Sequence, residues 1–375
     1  MNIGLLGFGS MGRTHSYSIA NLNFFYGELP FEAKIAGVCT RNFENAQKAA
    51  RVFSLGKAYK DEDEMINDPS IDVIDICTPN LYHYDAIKKA VNAGKHVYCE
   101  KPLCVTYAQA AEVAALVKEK GVTAQIVFNN RWMAPSMKAK ELITSGALGD
   151  ILSFRIAYLH SSCADPDKKA GWKQNSDICG GGVLFDLGSH IIDLIYYLCG
   201  EFDEVTGMSK IAYPTRKGMD GDSWETNADE AFYMMAKLKS GATGTIEASK
   251  ITVGANDDLT FEIYGTRGSV RFDLMEPNWL HFYDNTIVMG SGELGGGKGF
   301  QKIECVGRYP APGGIFPGVK APVGWLRGHI TSMHNFLSAA HAGKTAYPSF
   351  DDAAHVQKVM EAAYASDKSR TWEKI

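Results

Sequence analysis

The sequence lacks an excess of basic residues, since 38 Lys and Arg stand against 43 Asp and Glu, for a formal net charge of −5. A protein that binds a polyanion needs a positive surface field, so this balance argues against a nucleic-acid partner or an anionic membrane surface. No uninterrupted apolar run reaches the ~18–20 residues needed to span a bilayer. The chain also lacks a basic N-terminal region followed by an apolar stretch and a cleavage site. We therefore expect no membrane partner and a cytoplasmic protein.

Cysteine is scarce, with eight residues in 375, and none of them forms a CxxC pair. This count excludes a disulfide-stabilised scaffold, and no Cys/His set has the spacing of a zinc site. We therefore predict no metal site. Several of the cysteines lie in apolar, strand-like runs, where a thiol behaves as a small hydrophobic group.

The first third of the chain alternates apolar strands with helices, and a length of 375 residues favours two domains. The expected strands are residues 1–7, 33–40, 71–77, 96–99 and 122–128, with helices over 11–21, 45–52, 84–93 and 107–120. Such alternation predicts parallel βαβ units, hence an α/β fold with a doubly wound parallel sheet. The domain boundary is expected near Phe128–Asn130, which divides the chain into residues 1–128 and 129–375.

A glycine-rich turn, Gly7-Phe8-Gly9-Ser10-Met11-Gly12, follows the first strand and opens the first helix. In this setting a GxGxxG motif is typical of a dinucleotide-binding turn. Gly7 permits a tight turn, Gly9 removes a Cβ where a pyrophosphate approaches, and Gly12 allows close packing of helix on strand. The N–H groups at the helix N-terminus then face the phosphates. We predict that residues 7–12 bind the cofactor.

The end of the second strand has no acidic residue, although an NAD site usually has one there to accept from the ribose 2′-hydroxyl. The chain has Thr40 and Arg41 instead. Arg41 can pair with a 2′-phosphate or stack on adenine, and Thr40 can hydrogen-bond a 2′-hydroxyl. The sequence thus leaves NAD and NADP open as cofactors, and it leaves open whether the cofactor stays tightly bound.

Two further motifs follow the third and fourth strands, where ligands bind in a doubly wound sheet. The first is Thr78-Pro79-Asn80, with His83 three residues further on, and the second is Glu100-Lys101-Pro102. We predict cofactor contacts from these residues. Pro102 biases the Lys101 backbone towards extended geometry, so we also expect Lys101 to contact the substrate.

A third polar pair, Asp186 and His190, follows three consecutive glycines, Gly180–Gly182. A spacing of four residues places both side chains on one helix face, and the glycines suggest close approach of the chain to a ligand. Asp193, a turn further on, is expected to be structural.

Taken together, GxGxxG at 7–12, TPN at 78–80, EKP at 100–102 and the run GGGVLFDLGSHIID at 180–193 resemble the Gfo/Idh/MocA oxidoreductase family. The resemblance spans nearly the whole chain. It implies a Rossmann domain followed by an α/β domain with a large open, mostly antiparallel sheet. It also implies a nicotinamide cofactor and the catalytic residues Lys101, Asp186 and His190, with either His190 or Lys101 as the base. His190 can accept a hydroxyl proton near neutrality, whereas Lys101 can donate to the substrate oxygen.

The substrate is expected to be a sugar, because aromatic rings cover its C–H face and short polar groups match its hydroxyls. We predict substrate contacts from Lys101, Asp186 and His190, and from the residues Arg131, Tyr158 and Trp172. Asn129 is predicted to contact the cofactor. The stretch from Tyr158 to Trp172 resembles the glycoside-oxidising branch of the family, which implies oxidation of a glucose-like unit at C3. Inositol or free-sugar dehydrogenation, NAD-dependent glycoside hydrolysis and non-catalytic NAD(P) sensing remain alternatives.

Predicted strands over 230–238, 243–250, 259–264, 269–273 and 279–283 form the open sheet of the second domain. A one-sided sheet needs its other face covered, so we expect homo-oligomerisation through it, as is common in the family. The glycine- and proline-rich stretches 291–299 and 309–324 are expected to be a lid, an oligomer arm or a surface insertion.

Overall fold

The computed structural model describes residues 1–218, 221–290, 296–306, 309, 316, 318 and 321–375. Much of the two glycine- and proline-rich stretches lies outside these described residues, so the expected lid or arm stays a prediction. The chain forms two compact units. The first comprises Met1–Trp132, Trp325–Gln357 and the described residues of Tyr309–Pro317. The second comprises Lys358–Ile375 and the described residues of Met133–Arg308 and Gly318–Gly324.

The N-terminal part of the chain alternates strands and helices, as predicted. In chain order these elements are β1 (Asn2–Leu6), α1 (Ser10–Tyr26), β2 (Lys34–Cys39), α2 (Phe43–Phe53), β3 (Lys57–Tyr59), α3 (Glu62–Ile66), β4 (Val73–Ile76), α4 (His83–Asn92), β5 (His96–Cys99), α5 (Tyr107–Lys120) and β6 (Ala124–Ile126). Short 3₁₀ turns occur at Asn80–Tyr82 and Asn129–Trp132. The short elements β3 and α3 are not among the predicted ones, because a three-residue strand carries too little pattern to detect.

The six strands form one parallel sheet in the order β3-β2-β1-β4-β5-β6. The chain order reverses between the neighbours β1 and β4, and a sheet of this type binds ligands outside the carboxyl ends of its strands at that point. The Rossmann-type α/β fold predicted from the sequence is therefore confirmed.

The rest of the chain contains most of the second unit and two long C-terminal helices. These elements are α6 (Ala134–Thr144), β7 (Ile151–Leu159), α7 (Ser176–Cys179), α8 (Ser189–Cys199), β8 (Phe202–Lys210), β9 (Thr215–Lys217), β10 (Ser223–Glu225), β11 (Ala231–Leu238), β12 (Thr243–Ser249), β13 (Asp258–Gly265), β14 (Gly268–Asp273), β15 (Trp279–Asp284), β16 (Phe300–Glu304), α9 (Trp325–His341), α10 (Phe350–Ser369) and β17 (Glu373–Lys374). Further short turns occur at Trp172–Gln174 and, as a π-helix, at Leu184–Gly188.

A nine-stranded sheet organises the second unit, in the order β16-β15-β14-β13-β7-β12-β11-β8-β17. All neighbours run antiparallel except β7 and β12, which run parallel. Burial alternates along β11, where Met234 and Ala236 are buried while Tyr233 and Met235 are exposed. One face of the sheet is thus in the core and the other carries a shallow groove of about 1060 Å³. This is the large, mostly antiparallel sheet that the sequence predicts.

The two units differ from the consecutive ranges predicted, because α9 belongs to the first unit. Four of its residues, Ile330, Met333, Phe336 and Leu337, lie in one apolar cluster with Ile3 of β1 and Tyr98 of β5. An amphipathic pattern shows that a helix has a buried face but does not show which core that face joins.

Among the described residues, one helical segment, Ser176–Cys199, is long and apolar enough to cross a bilayer. In its most apolar window 83% of the segment is buried inside the fold, as in the core helix of a folded domain.

Candidate active site

The glycine turn between β1 and α1 has room for a phosphate group. Gly7 has a φ of +95°, and a Cβ on it would lie 2.7 Å from the Cys77 carbonyl oxygen. A Cβ on Gly12 would lie 2.5 Å from the Gly7 carbonyl oxygen, so both positions require glycine for internal reasons. Gly9 differs, because a Cβ on it would meet no atom within 4 Å beyond its own neighbours in the chain. No side chain caps α1, so the N–H groups of its first turn, near Ser10 and Met11, are available to phosphate oxygens.

An aromatic pair borders this turn. The ring of Phe8 lies 5.1 Å from the ring of Phe53, and the Arg13 guanidinium lies 5.8 Å from Phe8. At the end of β2, the Thr40 hydroxyl donates to the Asn42 carbonyl at 2.6 Å, and Arg41 is exposed. The roles of Thr40 and Arg41 towards a ribose or a 2′-phosphate stay predictions.

The TPN and EKP turns are linked to each other by His83. Its ring nitrogens lie 2.8 Å from the Thr78 carbonyl oxygen and 3.0 Å from the Pro102 carbonyl oxygen. Burial lowers the pKa of His83, against a smaller opposing effect of these two contacts. The buried ring lies within hydrogen-bond distance of both carbonyls, and a neutral ring can donate to one of them, so His83 joins the two turns. The direct cofactor contact predicted for His83 stays a prediction. Pro79 and Asn80 lie at the start of the 3₁₀ turn between the two motifs.

A buried cluster of charged groups adjoins Lys101, and the sequence analysis did not identify it. Its central residue is His15 of α1, whose ring lies between the carboxylates of Asp75 on β4 and Glu100 after β5. Two signals in the sequence pointed to it: a histidine three residues after Gly12, and an aspartate inside the apolar run IDVIDIC. One side-chain atom each of His15, Asp75 and Cys77 lies within 4.8 Å of the other two.

In the second unit, two lysines hold Asp186. The Lys173 ammonium contacts both Asp186 oxygens at 2.9 Å, and the Lys250 ammonium lies 2.8 Å from one of them. Lys250, directly after β12, is only 5% exposed. Burial acts to lower the pKa of Lys250, but the Asp186 charge and hydrogen bond raise it overall. The ammonium is therefore charged at neutral pH and is the principal functional candidate that the sequence analysis missed. The available signal in the sequence was a lysine directly after a strand that contains several β-branched residues.

His190 lies in the first turn of α8, and its ring packs edge-on against Tyr158 with 5.9 Å between centroids. The Tyr158 hydroxyl donates to Asp257 at 2.6 Å, and His160 Nε2 lies 2.8 Å from the same oxygen. Burial raises the pKa of Tyr158 well above its usual value, and the charge of Asp257 adds to this effect, so the phenol stays protonated. These side chains offer both hydrogen-bond donors and hydrogen-bond acceptors, which a substrate with several hydroxyls can use.

The local backbone at Asp186 is not the regular helix expected from the spacing. Asp186 lies in the π-helical turn Leu184–Gly188, and α8 begins only at Ser189. Single π-helical turns are frequent at functional sites. Two of the preceding glycines are required for packing within the unit, and the ligand approach predicted from them stays a prediction. A Cβ on Gly182 would lie 2.2 Å from the backbone of Asp229, and one on Gly181 would lie 2.7 Å from the Tyr364 hydroxyl.

Trp172 and Lys173 lie at the end of a segment whose first residues are bound by Arg216. Buried Arg216 donates to the carbonyl oxygens of Cys163 at 2.7 Å and Asp165 at 2.8 Å, and its guanidinium pairs with Glu230 at 2.6 Å. These bonds fasten the segment 161–174 to the sheet side of the unit. Trp172 is 38% exposed and lies beside the Lys173 ammonium, as expected for a ring available to a ligand.

Two residues predicted to contact ligands, Arg131 and Asn129, have partners within the first unit. Arg131 is buried, and its guanidinium lies 3.7 Å from the Asp352 carboxylate. Asn129 is also buried and donates to the Asn130 side chain at 3.2 Å. Their contacts to substrate and cofactor therefore stay predictions.

Comparison with known proteins agrees with this architecture. The family described as "Oxidoreductase family, NAD-binding Rossmann fold" matches residues 1–128, and "GFO/IDH/MocA C-terminal domain" matches residues 136–271. A levoglucosan dehydrogenase of Pseudarthrobacter phenanthrenivorans is 32% identical, with 99% of this chain and 97% of that protein aligned. A glucose-6-phosphate 3-dehydrogenase of Bacillus subtilis is 25% identical, with 98% and 96% aligned. Levoglucosan dehydrogenase solved with NADH and levoglucosan superposes with a TM-score of 0.94 at 32% identity, covering 100% of this chain and 99% of that one.

The fold and the glycine turn define an oxidoreductase with an NAD-binding Rossmann domain. The chain belongs to the GFO/IDH/MocA family, which confirms the resemblance read from its motifs.

Proposed function

We propose that the protein is an NAD-dependent sugar dehydrogenase that oxidises a ring hydroxyl of a glucose-like unit, specifically C3 of a glycoside. The observation that supports this proposal best is the set of polar side chains in the second unit. There Asp186, held by Lys250 and Lys173, accompanies His190 and the Tyr158–Asp257 pair. Such short polar groups beside aromatic rings suit a substrate with several hydroxyls. The names of the two relatives, one acting on an anhydrosugar and one at a C3 position, support the substrate class and the carbon.

The proposed mechanism assigns a role to each side chain. When bound, NAD⁺ supplies the acceptor for the hydride of the substrate C–H bond. His190 or Lys101 takes the proton of the reacting hydroxyl, and the other of the two donates a hydrogen bond to the same oxygen. Asp186 accepts from a neighbouring hydroxyl, and the two lysines that contact its carboxylate fix its orientation. Tyr158 and Trp172 cover the apolar face of the sugar.

Product analysis tests the proposal. The enzyme is incubated with NAD⁺ and methyl β-glucoside, levoglucosan, glucose or myo-inositol, and the products are identified by NMR spectroscopy. The proposal requires a 3-keto glycoside with one NADH formed per ketone. Turnover of myo-inositol or free glucose alone would replace it with a cyclitol or free-sugar dehydrogenase. Release of methanol without net NADH would indicate a glycoside hydrolase, and NAD binding without turnover would indicate a sensor.

We also propose that the exposed face of the nine-stranded sheet binds a second copy of the chain. The face has large exposed apolar side chains, Met208, Tyr233 and Met235, which are 40–52% exposed. It also carries both signs of charge, with Arg155 and Arg271 beside Glu262. A two-fold interface joins one patch to itself, so a patch containing both signs can be self-complementary.

A further inference from the structure

A histidine is buried between two carboxylates at the carboxyl edge of the parallel sheet. His15 is 1% exposed, Asp75 is 0% exposed and Glu100 is 6% exposed. His15 Nδ1 lies 2.9 Å from one Asp75 oxygen, and His15 Nε2 lies 3.1 Å from Glu100 Oε1. Each ring nitrogen thus faces a carboxylate oxygen at hydrogen-bond distance.

This geometry determines the charge of the ring. A neutral imidazole has one N–H, and an ionised carboxylate offers only acceptors, so both contacts are satisfied only by an imidazolium. Burial acts to lower the pKa of His15, but the charge and hydrogen-bond interactions with Asp75 and Cys77 together raise it well above its usual value.

The other groups around the ring leave this assignment unchanged. They are Cys77 after β4, at 3.2 Å from Nδ1, the Tyr98 ring of β5 and the His329 ring of α9. Burial raises the pKa of Cys77, so its thiol stays neutral. Burial and the His15 charge lower the pKa of His329 to about 3, so it stays neutral as well. The cluster therefore contains one cation and two anions besides Lys101.

A continuous path of contacts leads from this ring to Lys101. The first Glu100 oxygen accepts from His15, and the second accepts from the backbone N–H of Lys101 at 3.2 Å. The carboxylate can keep this orientation only while both of its oxygens have their donors. A displacement of His15 would therefore shift the Glu100 carboxylate and, through it, the backbone of Lys101.

We propose that His15, which contacts both Asp75 and Glu100, is a positioning residue for Lys101: it fixes the Glu100 carboxylate, which in turn fixes the Lys101 backbone. The inference depends on the proposed function, in which Lys101 contacts the reacting oxygen. It extends that function from a single lysine to a charged cluster that includes two residues, His15 and Asp75, with no direct part in the reaction.

The first test compares His15→Gln with the double variant His15→Gln/Asp75→Asn. Glutamine removes the cation that lies between the two buried carboxylates, so protonation of one of them is favoured and Glu100 loses its fixed orientation. We expect single-turnover NADH formation to fall about 10- to 100-fold, because small misplacements of reacting groups have effects of that size. NADH affinity should change less than about threefold. The matched control is His334→Gln, which removes a half-buried histidine of α9 that stacks on Tyr26.

The double variant separates charge from packing. Asp75→Asn changes the side-chain volume very little but removes one negative charge, so Glu100 becomes the only carboxylate of the cluster. The proposal requires the double variant to be at least about fivefold faster than His15→Gln. Equal rates for these two variants would overturn it, and so would a wild-type rate for His15→Gln when Lys101→Ala is inactive. Full activity of Lys101→Ala would instead refute the proposed function.

The second test needs no variant. Wild-type enzyme labelled with ¹⁵N-histidine is observed by NMR spectroscopy with NADH bound, and the His15 signals are assigned by their loss in the double variant. Two protonated ring nitrogens are expected at pH 7 and above, where a histidine with the ordinary pKa of ~6.5 is mostly neutral. A neutral ring at pH 7, or a stoichiometric metal bound by His15, Asp75 and Cys77, would overturn the proposal.

Discussion

At the scale of a single residue, the effect of a cation on a neighbouring carboxylate depends on how deeply the cation is buried. Asp186 faces two ammonium groups, of which Lys173 is 46% exposed and Lys250 is 6% exposed at the side chain. An exposed ion pair is screened by water and contributes little, whereas removal of a buried partner leaves a charge without compensation. The two lysines, although at nearly equal distances, should therefore differ strongly in effect.

We expect Lys250→Met to lower kcat/KM for the glycoside about 100-fold and to destabilise the protein by about 2 kcal/mol, because the Asp186 charge loses its buried partner. Lys173→Met should change kcat/KM less than about fivefold. Steady-state kinetics and thermal unfolding of both variants provide the measurement. Similar losses for both lysines would contradict the assignment.

The proposed catalytic side chains allow a second prediction at this scale. Lys101→Ala, Asp186→Ala and His190→Ala should each bind NADH with near wild-type affinity, because the glycine turn that receives the phosphates contains none of them. Hydride transfer should fall by about 10²–10⁴-fold, the usual effect of losing a general base. Single-turnover kinetics, NADH titration and circular dichroism measure these quantities. Three folded variants with wild-type hydride transfer would refute the proposed site.

At the scale of an element, the turn between β1 and α1 contains glycines packed against backbone and one glycine, Gly9, that faces open space. Gly12 is in contact with the turn itself, whereas the space beside Gly9 is open. Glycine thus occurs at these two positions of the motif for two different physical reasons.

We predict that Gly9→Ala folds with a melting temperature within about 2 °C of wild type but binds NADH at least 10-fold more weakly, since its methyl group occupies the phosphate space. Gly12→Ala should lose about 2 kcal/mol or more of stability, because its Cβ would overlap the Gly7 carbonyl. Fluorescence titration with NADH and thermal unfolding test the pair. A Gly9→Ala protein with unchanged NADH affinity would show that the open space is not the phosphate site.

The elements also show how far the sequence could predict the fold and the site. The parallel strands and the strands of the open sheet follow from local patterns of apolar residues, and both were confirmed. The π-helical turn at Asp186 could not be predicted, because it depends on Asp229 and Tyr364, which contact Gly182 from distant parts of the chain. Lys250 and the His15 cluster were missed for the same reason: their partners are close in space but remote in sequence.

At the scale of the whole molecule, His15 makes the free energy of unfolding decrease as the pH rises into the alkaline range. Its pKa in the folded protein is raised by the Asp75 carboxylate against the effect of burial. Between the unfolded pKa of ~6.5 and the folded value, the native state binds one proton more than the unfolded state. The free energy of unfolding therefore decreases as pH rises through this interval.

We expect the free energy of unfolding of the wild type to decline above pH ~6.5 by up to about 1.4 kcal/mol per pH unit from this group. The decline should be shallower in the double variant His15→Gln/Asp75→Asn, which lacks the titrating ring. Urea unfolding from pH 6 to 9.5 tests this difference. Parallel curves for the two proteins would contradict a raised pKa at His15.

The exposed sheet face gives a prediction about assembly. Met208→Asp/Met235→Asp should reduce the assembly to smaller species, because it would place charges in the core of the proposed interface. The control is Val253→Asp, since Val253 is 85% exposed and lies in the turn after β12, outside the groove. Light scattering coupled to size exclusion measures the mass of each protein. An unchanged mass for the double variant would exclude this face as the interface.

The single parallel pair within the large sheet, β7 beside β12, also affects how the protein can diversify. Ser249 pairs with Leu159 at the end of this pair, so His160 and Lys250 leave the sheet side by side although their strands are far apart in the chain. The chain between these two residues forms other strands of the sheet, β8 and β11, before it enters β12. Insertions in the hairpin turns at the opposite edge can therefore accumulate during evolution without moving these two side chains, which leaves the binding chemistry free to change independently of the surface loops.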